Sequence, residues 1–451
     1  MRFGIDEIVK ATGGKLIFKN KDIDVDGITT DSREKNNGGL FIPIKGANFD
    51  GHEYIENAVS NGALGYLTEK ETDIKADFAV LVDDTRLALG DLARYAMTKT
   101  KAKVIAVTGS VGKTTTRQFI ASVVSQLGKT LVTIKNFNND IGLPITVLSM
   151  DGDEDYIVLE LGMNNLGEIS YLSNIIKPDI AVITMIGTSH IENLGSQENI
   201  LKAKLEILEG MDKDGVLFLN GDDEFLKPLL ERKDIKTEAF GFESGKYSLK
   251  IMSADEPCEF IYDNEKYTIN ISGKHNIINA ACAISIAKYL GASYEQIAAG
   301  LMTFKNIGLR QEIYNIDGKE IILDCYNASL DSVKAALAVL SGKTSKRKVA
   351  ILGAIGELGD YTEEILNKVG TEAYLNYTDL LIACDEYCEH IKAGALKAGM
   401  KEENILIYPD KGELINNINS LIKEGDCVLI KASRKYKFEE IFDAIKKGIG
   451  V

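Results

Sequence analysis

Apolar and polar positions change period several times along the 451 residues. Between 103 and about 305, short apolar runs at 104–107, 156–160, 180–184 and 216–220 each end in a turn and alternate with helix-period stretches. Unbroken apolar runs of this length suit strands buried on both faces, so the pattern predicts a mainly parallel sheet with helices on either side. A more polar, β-like excursion over about 236–271 is followed by a helix over 276–290. From about 310 onward, strand-like runs at 320–324, 348–352, 379–383, 404–408 and 426–431 alternate with helices starting near 331, 362, 388, 411 and 438, a smaller Rossmann-like βα unit. It has no GxGxxG turn, so no dinucleotide is expected. Residues 1–100 mix short strand-like runs with dense turns and end in a helix over 84–98. The expected fold is α/β in three domains. A small α/β domain spans 1–100, a doubly wound, mainly parallel phosphate-loop domain spans 101–308, and the Rossmann-like βα domain spans 309–451.

Length and a 45% hydrophobic content are enough for several cores. The formal charge of -15 argues against nucleic acid or an anionic membrane as main partner, and leaves room for a local basic pocket. The first residues lack the apolar core of a signal peptide and no apolar run is long enough to span a bilayer, so a cytosolic monomer with no membrane insertion is expected. Six cysteines, Cys258, Cys282, Cys325, Cys384, Cys388 and Cys427, follow neither zinc nor CxxC spacing and are expected to be reduced.

The chemistry concentrates at residues 103–126, where an apolar strand runs through a glycine turn into a helix. Gly109 and Gly112 let the backbone curl, so that the amides of Gly109, Ser110, Val111, Gly112, Lys113, Thr114 and Thr115 and the positive end of the helix can surround a polyphosphate. Lys113 would neutralise the β- and γ-phosphates and the Thr114 hydroxyl would hold Mg²⁺. The full pattern asks for glycine five places before Gly112, where this chain has Val107, so the loop is a shortened variant. Beyond the next strands, where open α/β sheets bind ligands, Glu160 is a candidate metal carboxylate. His190, in the polar loop 187–195, is a candidate ligand of a second metal or an orienter of phosphate. The helical segment 200–208 reads, on spacing alone, as amphipathic with solvated lysines.

Together these motifs resemble the Mur ligases, ATP-dependent amide-forming enzymes of peptidoglycan precursor synthesis. The resemblance rests on 108–115, on Asn136-Phe137-Asn138-Asn139-Asp140-Ile141-Gly142-Leu143-Pro144, on Leu159-Glu160-Leu161-Gly162 and on Gly273-Lys274-His275-Asn276-Ile277-Ile278-Asn279-Ala280. It implies ATP and Mg²⁺ as cofactors. It further implies Asn138 and Asn139 near the nucleotide, Asn276 and Asn279 on the adenine side, and Arg310 and Asp324 reaching phosphate and ribose from the third domain. It also implies that Lys204 is carbamylated, joining Thr114, Glu160 and His190 at the metals.

Within the family the third-domain runs 324–329, 352–359 and 430–434 look most like the branch that adds D-alanyl-D-alanine to a UDP-N-acetylmuramoyl tripeptide. That implies donor contacts from Ser32, Arg33, Gly46, Asp50 and His52, and acceptor contacts from Tyr326, Asn327, Lys431, Ser433 and Arg434. Three positions depart from the branch pattern: Ser329-Leu330 stands for Asn-Pro, Ala354 for aspartate and Ala432 for glycine. All three bear on the identity of the incoming amine. The alternatives are another amide ligase of the superfamily, diamino-acid-adding or of the folylpolyglutamate type, and a nucleotide-driven switch that makes no new amide.

Overall fold

The computed structural model describes residues 1–36, 38–242 and 247–448; of the β-like excursion, 243–246 lie outside the described residues. At its centre is a six-stranded sheet, ordered Lys236–Phe240, Val216–Asn220, Ile180–Ile183, Lys103–Thr108, Tyr156–Glu160 and Thr130–Val132. Every neighbouring pair is parallel. Successive residues of one strand serve different layers. Val104 and Ala106 pack with Leu89, Leu143 and Leu172 on one face, while Ile105 and Val107 pack with Phe119, Ile120 and Ile284 on the other. With both faces covered, an alternating strand becomes a continuous apolar one. The chain runs from Lys103–Thr108 to one side of the sheet and later to the other, so the strand order reverses beside it, the place where such sheets open a ligand crevice.

The sheet of the first hundred residues has the order Lys15–Lys19, Phe78–Leu81, Gly65–Thr68, Leu40–Phe41 and Ile28–Thr29. Only its first pair is antiparallel. The helix Thr85–Met97 starts at Asp84, whose carboxylate accepts from the Arg86 and Leu87 amides. It packs on the helices Gly142–Leu148 and Glu168–Ile176 of the central unit, and the Met1 ammonium adds a 2.6 Å bond to the Met150 carbonyl.

Of the polar excursion, Lys236–Phe240 is the edge strand of the central sheet, and 249–269 forms a separate antiparallel sheet of three strands. The third large sheet has the order Glu312–Ile316, Lys319–Leu323, Asp426–Lys431, Arg347–Leu352, Leu380–Cys384 and Ile405–Tyr408. It is parallel apart from the opening hairpin. All six cysteines are buried and unpaired. Among the described residues no helix is long and apolar enough to cross a membrane.

Candidate active site

The loop after Lys103–Thr108 adopts backbone that only glycine accepts comfortably, φ 148° at Gly109 and 85° at Gly112, the cap of the helix Lys113–Val124. Space is as restrictive as conformation: a Cβ on Gly109 would stand 1.8 Å from Thr184 Oγ1. That hydroxyl donates to the Val111 carbonyl at 2.5 Å, pinning the loop to the neighbouring strand end. The Lys113 ammonium donates to the carbonyls of Gly109 (2.8 Å) and Ser110 (3.3 Å), so the lysine lies along its own loop.

Glu160 ends its strand buried, and its carboxylate is held from three sides. Thr114 Oγ1 donates to one oxygen at 2.8 Å and Asn138 Nδ2 to the other at 2.8 Å, while Arg117 Nη1 stands 3.6 Å away. Arg117 was not expected here. It is wholly buried, donates from Nη1 to the Lys135 carbonyl at 3.1 Å, and leaves Nε and Nη2 without partners. Its signal in the sequence was an arginine on the helix face otherwise made of Thr116, Phe119, Ile120 and Val123.

A cavity of about 330 Å³ gathers half of the expected site residues. Ser110, Val111, Gly112, Lys113, Thr114, Asn138, Asn139, Glu160, His190 and Lys204 line it from the central unit, and Arg310, Tyr326 and Asn327 from the third. Lys204 corrects the solvated reading of its helix. In the helix Gln197–Leu205 it is 1% exposed, whereas Lys202 is exposed. Burial first, and then the charge of Lys113, drives its ammonium pKa well below the usual value. Lys113 is likewise lowered by burial, opposed by Glu160 and reinforced by Arg310. Lys113, Arg117 and Arg310 thus gather close to Glu160, with Glu168 on the cavity wall, and this concentration of cationic side chains suits a polyanion.

Around this cavity are two others. Thr115, Asn276, Asn279, Arg310, Asp324 and Lys431 share a narrow one of about 80 Å³. A larger one of about 460 Å³ runs between Gly112, Thr184, Asn279 and His275 of the central unit and Asp331, Ala335 and Val339 of the third. Asn276 donates to the Ser272 carbonyl (2.8 Å) and to Gln311 (3.0 Å), and Asn279 accepts from the Thr116 hydroxyl (3.1 Å). The Arg310 guanidinium lies 4.0 Å from the Tyr326 ring centroid. Lys431, expected at the acceptor, is buried and bonded to Asp324 at 2.6 Å and to the Asn327 carbonyl at 3.2 Å. Its charge holds the turn that carries Tyr326 and Asn327.

Other expected contacts lie away from these cavities. Ser433 is buried and accepts from the Gly356 amide (2.9 Å), and Arg434 pairs with Glu439. Ser32, Arg33, Gly46, Asp50 and His52 line none of the cavities described. Arg33 pairs with Asp31, and Asn61 holds the Ser32 carbonyl. A Cβ on Gly46 would meet the Phe49 ring at 2.5 Å. His52 accepts from the Glu69 amide through Nε2 (3.2 Å), so its proton sits on Nδ1, 2.6 Å from Asp50. Both nitrogens are therefore engaged inside the first unit.

The three departures also have structural settings. Ser329 caps the helix Leu330–Gly342 in a capping box with Ser332. The Ala354 amide donates to Asp385, the acid at the end of the adjacent strand. The methyl of Ala432 is buried, 2.8 Å from where a Cβ on Gly353 would be.

A phosphate loop at a switch point, roofed by aromatic and basic residues of a second βα unit, defines a nucleotide-dependent enzyme of the ligase type, and the chain belongs to the Mur ligase family. Family models for the Mur ligase family catalytic domain, the Mur ligase middle domain and the Mur ligase glutamate ligase domain match residues 24–106, 107–287 and 309–434. More particularly, the chain is 38% identical to UDP-N-acetylmuramoyl-tripeptide--D-alanyl-D-alanine ligase of Bacillus subtilis, over 97% of this chain and 96% of the relative. It is 31% identical to the Escherichia coli protein of the same name, over 98% of both. A crystal structure of MurF from Acinetobacter baumannii superposes with a TM-score of 0.91 at 30% identity, covering 99% of each chain.

Proposed function

We propose that this chain joins D-alanyl-D-alanine to the terminal carboxylate of a UDP-N-acetylmuramoyl tripeptide, using ATP, in peptidoglycan precursor synthesis. The observation that carries the chemistry is the meeting of Lys113, Arg117, Lys204 and Arg310 around Glu160 and Thr114. A donor carboxylate oxygen attacks the γ-phosphorus of ATP, the bond to ADP breaks, and an acyl phosphate forms. The amine of D-alanyl-D-alanine then adds to that carbonyl, phosphate leaves and the nitrogen loses a proton, giving an amide, ADP and Pi. Lys113 and the loop amides offset the charge on the transferred group, and Arg310 is placed to do so from the third unit.

Thr114 and Glu160 offer hard oxygen donors 2.8 Å apart beside the phosphate loop, a donor set that fits Mg²⁺. His190 and Lys204 line the same cavity. When bound, the metal supplies Lewis-acid neutralisation of the phosphoryl oxygens. Burial favours a neutral Lys204 amine, the form that adds CO2 and releases a proton, so Lys204 is the residue we assign as a carbamate, which would offer the metal an anionic oxygen.

We assign the three large sheets to three domains, 1–100 for the UDP end of the donor, 101–308 for ATP and 309–451 for the amine. Residues of the third line the phosphate cavity together with those of the second. Seating the third domain over the acyl phosphate excludes water, which would otherwise hydrolyse it. We assign Ser32, Arg33, Asp50 and His52 of the first unit to the nucleotide end of the donor; none of them lines the phosphate cavity.

The deciding experiment is a matrix of UDP-muramoyl peptides against amines with ATP, products read by mass spectrometry. D-alanyl-D-alanine is expected to be incorporated with one phosphate released per amide. Incorporation of a diamino acid in its place overturns the acceptor assignment, and phosphate release without any amide overturns the ligase reading.

A further inference from the structure

The loop carrying His190 is gripped from the third unit at several points. His190 Nδ1 lies 2.6 Å from Glu357 Oε2, a close contact outside hydrogen-bond alignment. The Glu192 amide donates to the Glu357 carbonyl at 3.3 Å, and the Tyr361 hydroxyl donates to the Gly195 carbonyl at 2.8 Å. At the other end of the loop, a Cβ on Gly187 would stand 2.2 Å from Asp331 Oδ2. The two residues that meet are both non-glycine and both left-handed, with φ 64° at His190 and 62° at Glu357. Such backbone costs stability, and a contact with a half-exposed carboxylate returns little of it. Strain of this kind is retained where geometry matters more than stability.

We propose that Glu357 is a positioning residue: brought in by the third unit, its carboxylate orients the His190 imidazole, so the reactive site is complete only when that unit is seated on the central one. Pairing at Nδ1 leaves Nε2 as the ring nitrogen available to the cavity that His190 lines. A carboxylate set against one ring nitrogen fixes the orientation of an imidazole and with it the direction of the opposite nitrogen. Nothing in this requires Glu357 to touch a substrate. Its own segment is held by the third unit, through the Gly356 amide bonded to Ser433 and the Ala354 amide bonded to Asp385. Movement of the unit therefore moves the carboxylate with it.

The inference rests on the reading of His190 as part of the phosphoryl-transfer site, and three variants of the full chain separate the two. E357Q keeps the side-chain size and loses the charge; E357G also removes the positive-φ penalty. Both are expected to lower kcat about 10- to 100-fold while KM for ATP stays within about twofold. The melting temperature of E357G should be no lower than that of the parent, which a merely structural role would not produce. Histidine-selective ¹⁵N NMR with ADP and without metal should show the His190 proton on Nδ1 in the parent and a mixture of tautomers in E357Q. Parent-like kcat in E357Q, or an unchanged His190 ring signature, overturns the inference. If H190A is inactive while E357Q is unimpaired, Glu357 alone is misassigned; if H190A is fully active, the reading of His190 falls as well.

Discussion

Arg117 and Glu160 form a buried pair whose two members are unequally supported, and that inequality can be measured. At 3.6 Å and an effective dielectric near 20, their attraction is roughly 5 kcal/mol. Replacing Glu160 by Gln removes it and strands a buried guanidinium whose protein hydrogen bond is to the Lys135 carbonyl, a loss of about 3–5 kcal/mol. Replacing Arg117 by Met removes the same attraction but also two unpartnered donors, each costing about 1–3 kcal/mol as they stand. Glu160 meanwhile keeps Thr114 and Asn138. R117M is therefore expected to cost no more than about 2 kcal/mol. The double variant should lie close to R117M, with a coupling of about 3–5 kcal/mol.

A chain with three large sheets and no tryptophan is poorly served by a single fluorescence melt. The suitable assay is amide hydrogen exchange of peptides covering Lys113–Val124 and Tyr156–Glu160, which reports local opening free energies. A larger loss in R117M than in E160Q, or additive single effects, would refute the unequal-support account.

Lys113→Ala should lower ATP-dependent amide formation at least about 100-fold while the circular dichroism spectrum is unchanged, since the ammonium bonds only loop carbonyls. Gly109→Ala should destabilise by about 3 kcal/mol or more, measured in urea, by forcing Thr184 off the Val111 carbonyl and straining the backbone. Burial pushes the Asp385 carboxyl up from 3.8 to about 6, so the unfolded chain ionises first. Stability from this group is full below pH 4 and falls by about 3 kcal/mol as pH rises to 6. D385N should flatten that part of the stability–pH curve, and an unaltered slope would count against it. Ser329→Ala should cost about 1 kcal/mol of thermal or urea stability by removing a helix cap.

Legibility followed burial. The strands of the central and third sheets are covered on both faces, so runs such as 104–107 and 426–431 stood out, and Asp84 marked the start of its helix by its capping chemistry. The two-residue strands Ile28–Thr29 and Leu40–Phe41 are too short to show any period, and the edge hairpin strand Glu312–Ile316 is half-buried and mixed in character. In the site, Lys113, Thr114 and Glu160 were readable because Glu160 ends an apolar strand and the other two open the helix after a glycine turn. Lys204 was not, because a helix period cannot say that its polar face looks into a cavity; resemblance supplied it. Arg117 was missed for the complementary reason, a charge on a buried face being invisible without its distant partner. Lys431 came from resemblance, and its ion pair with Asp324, between residues 107 apart in sequence, is beyond the reach of any local pattern.

In the third sheet, Asp426–Lys431 lies between Lys319–Leu323 and Arg347–Leu352. A ribosome delivers that middle piece last, after every other strand of the sheet. Until it emerges, two apolar edges face each other with nothing between them, a situation that invites holding by chaperones or mispairing. Stop codons shortly before 426 should thus yield aggregating or degraded polypeptide rather than a trimmed enzyme.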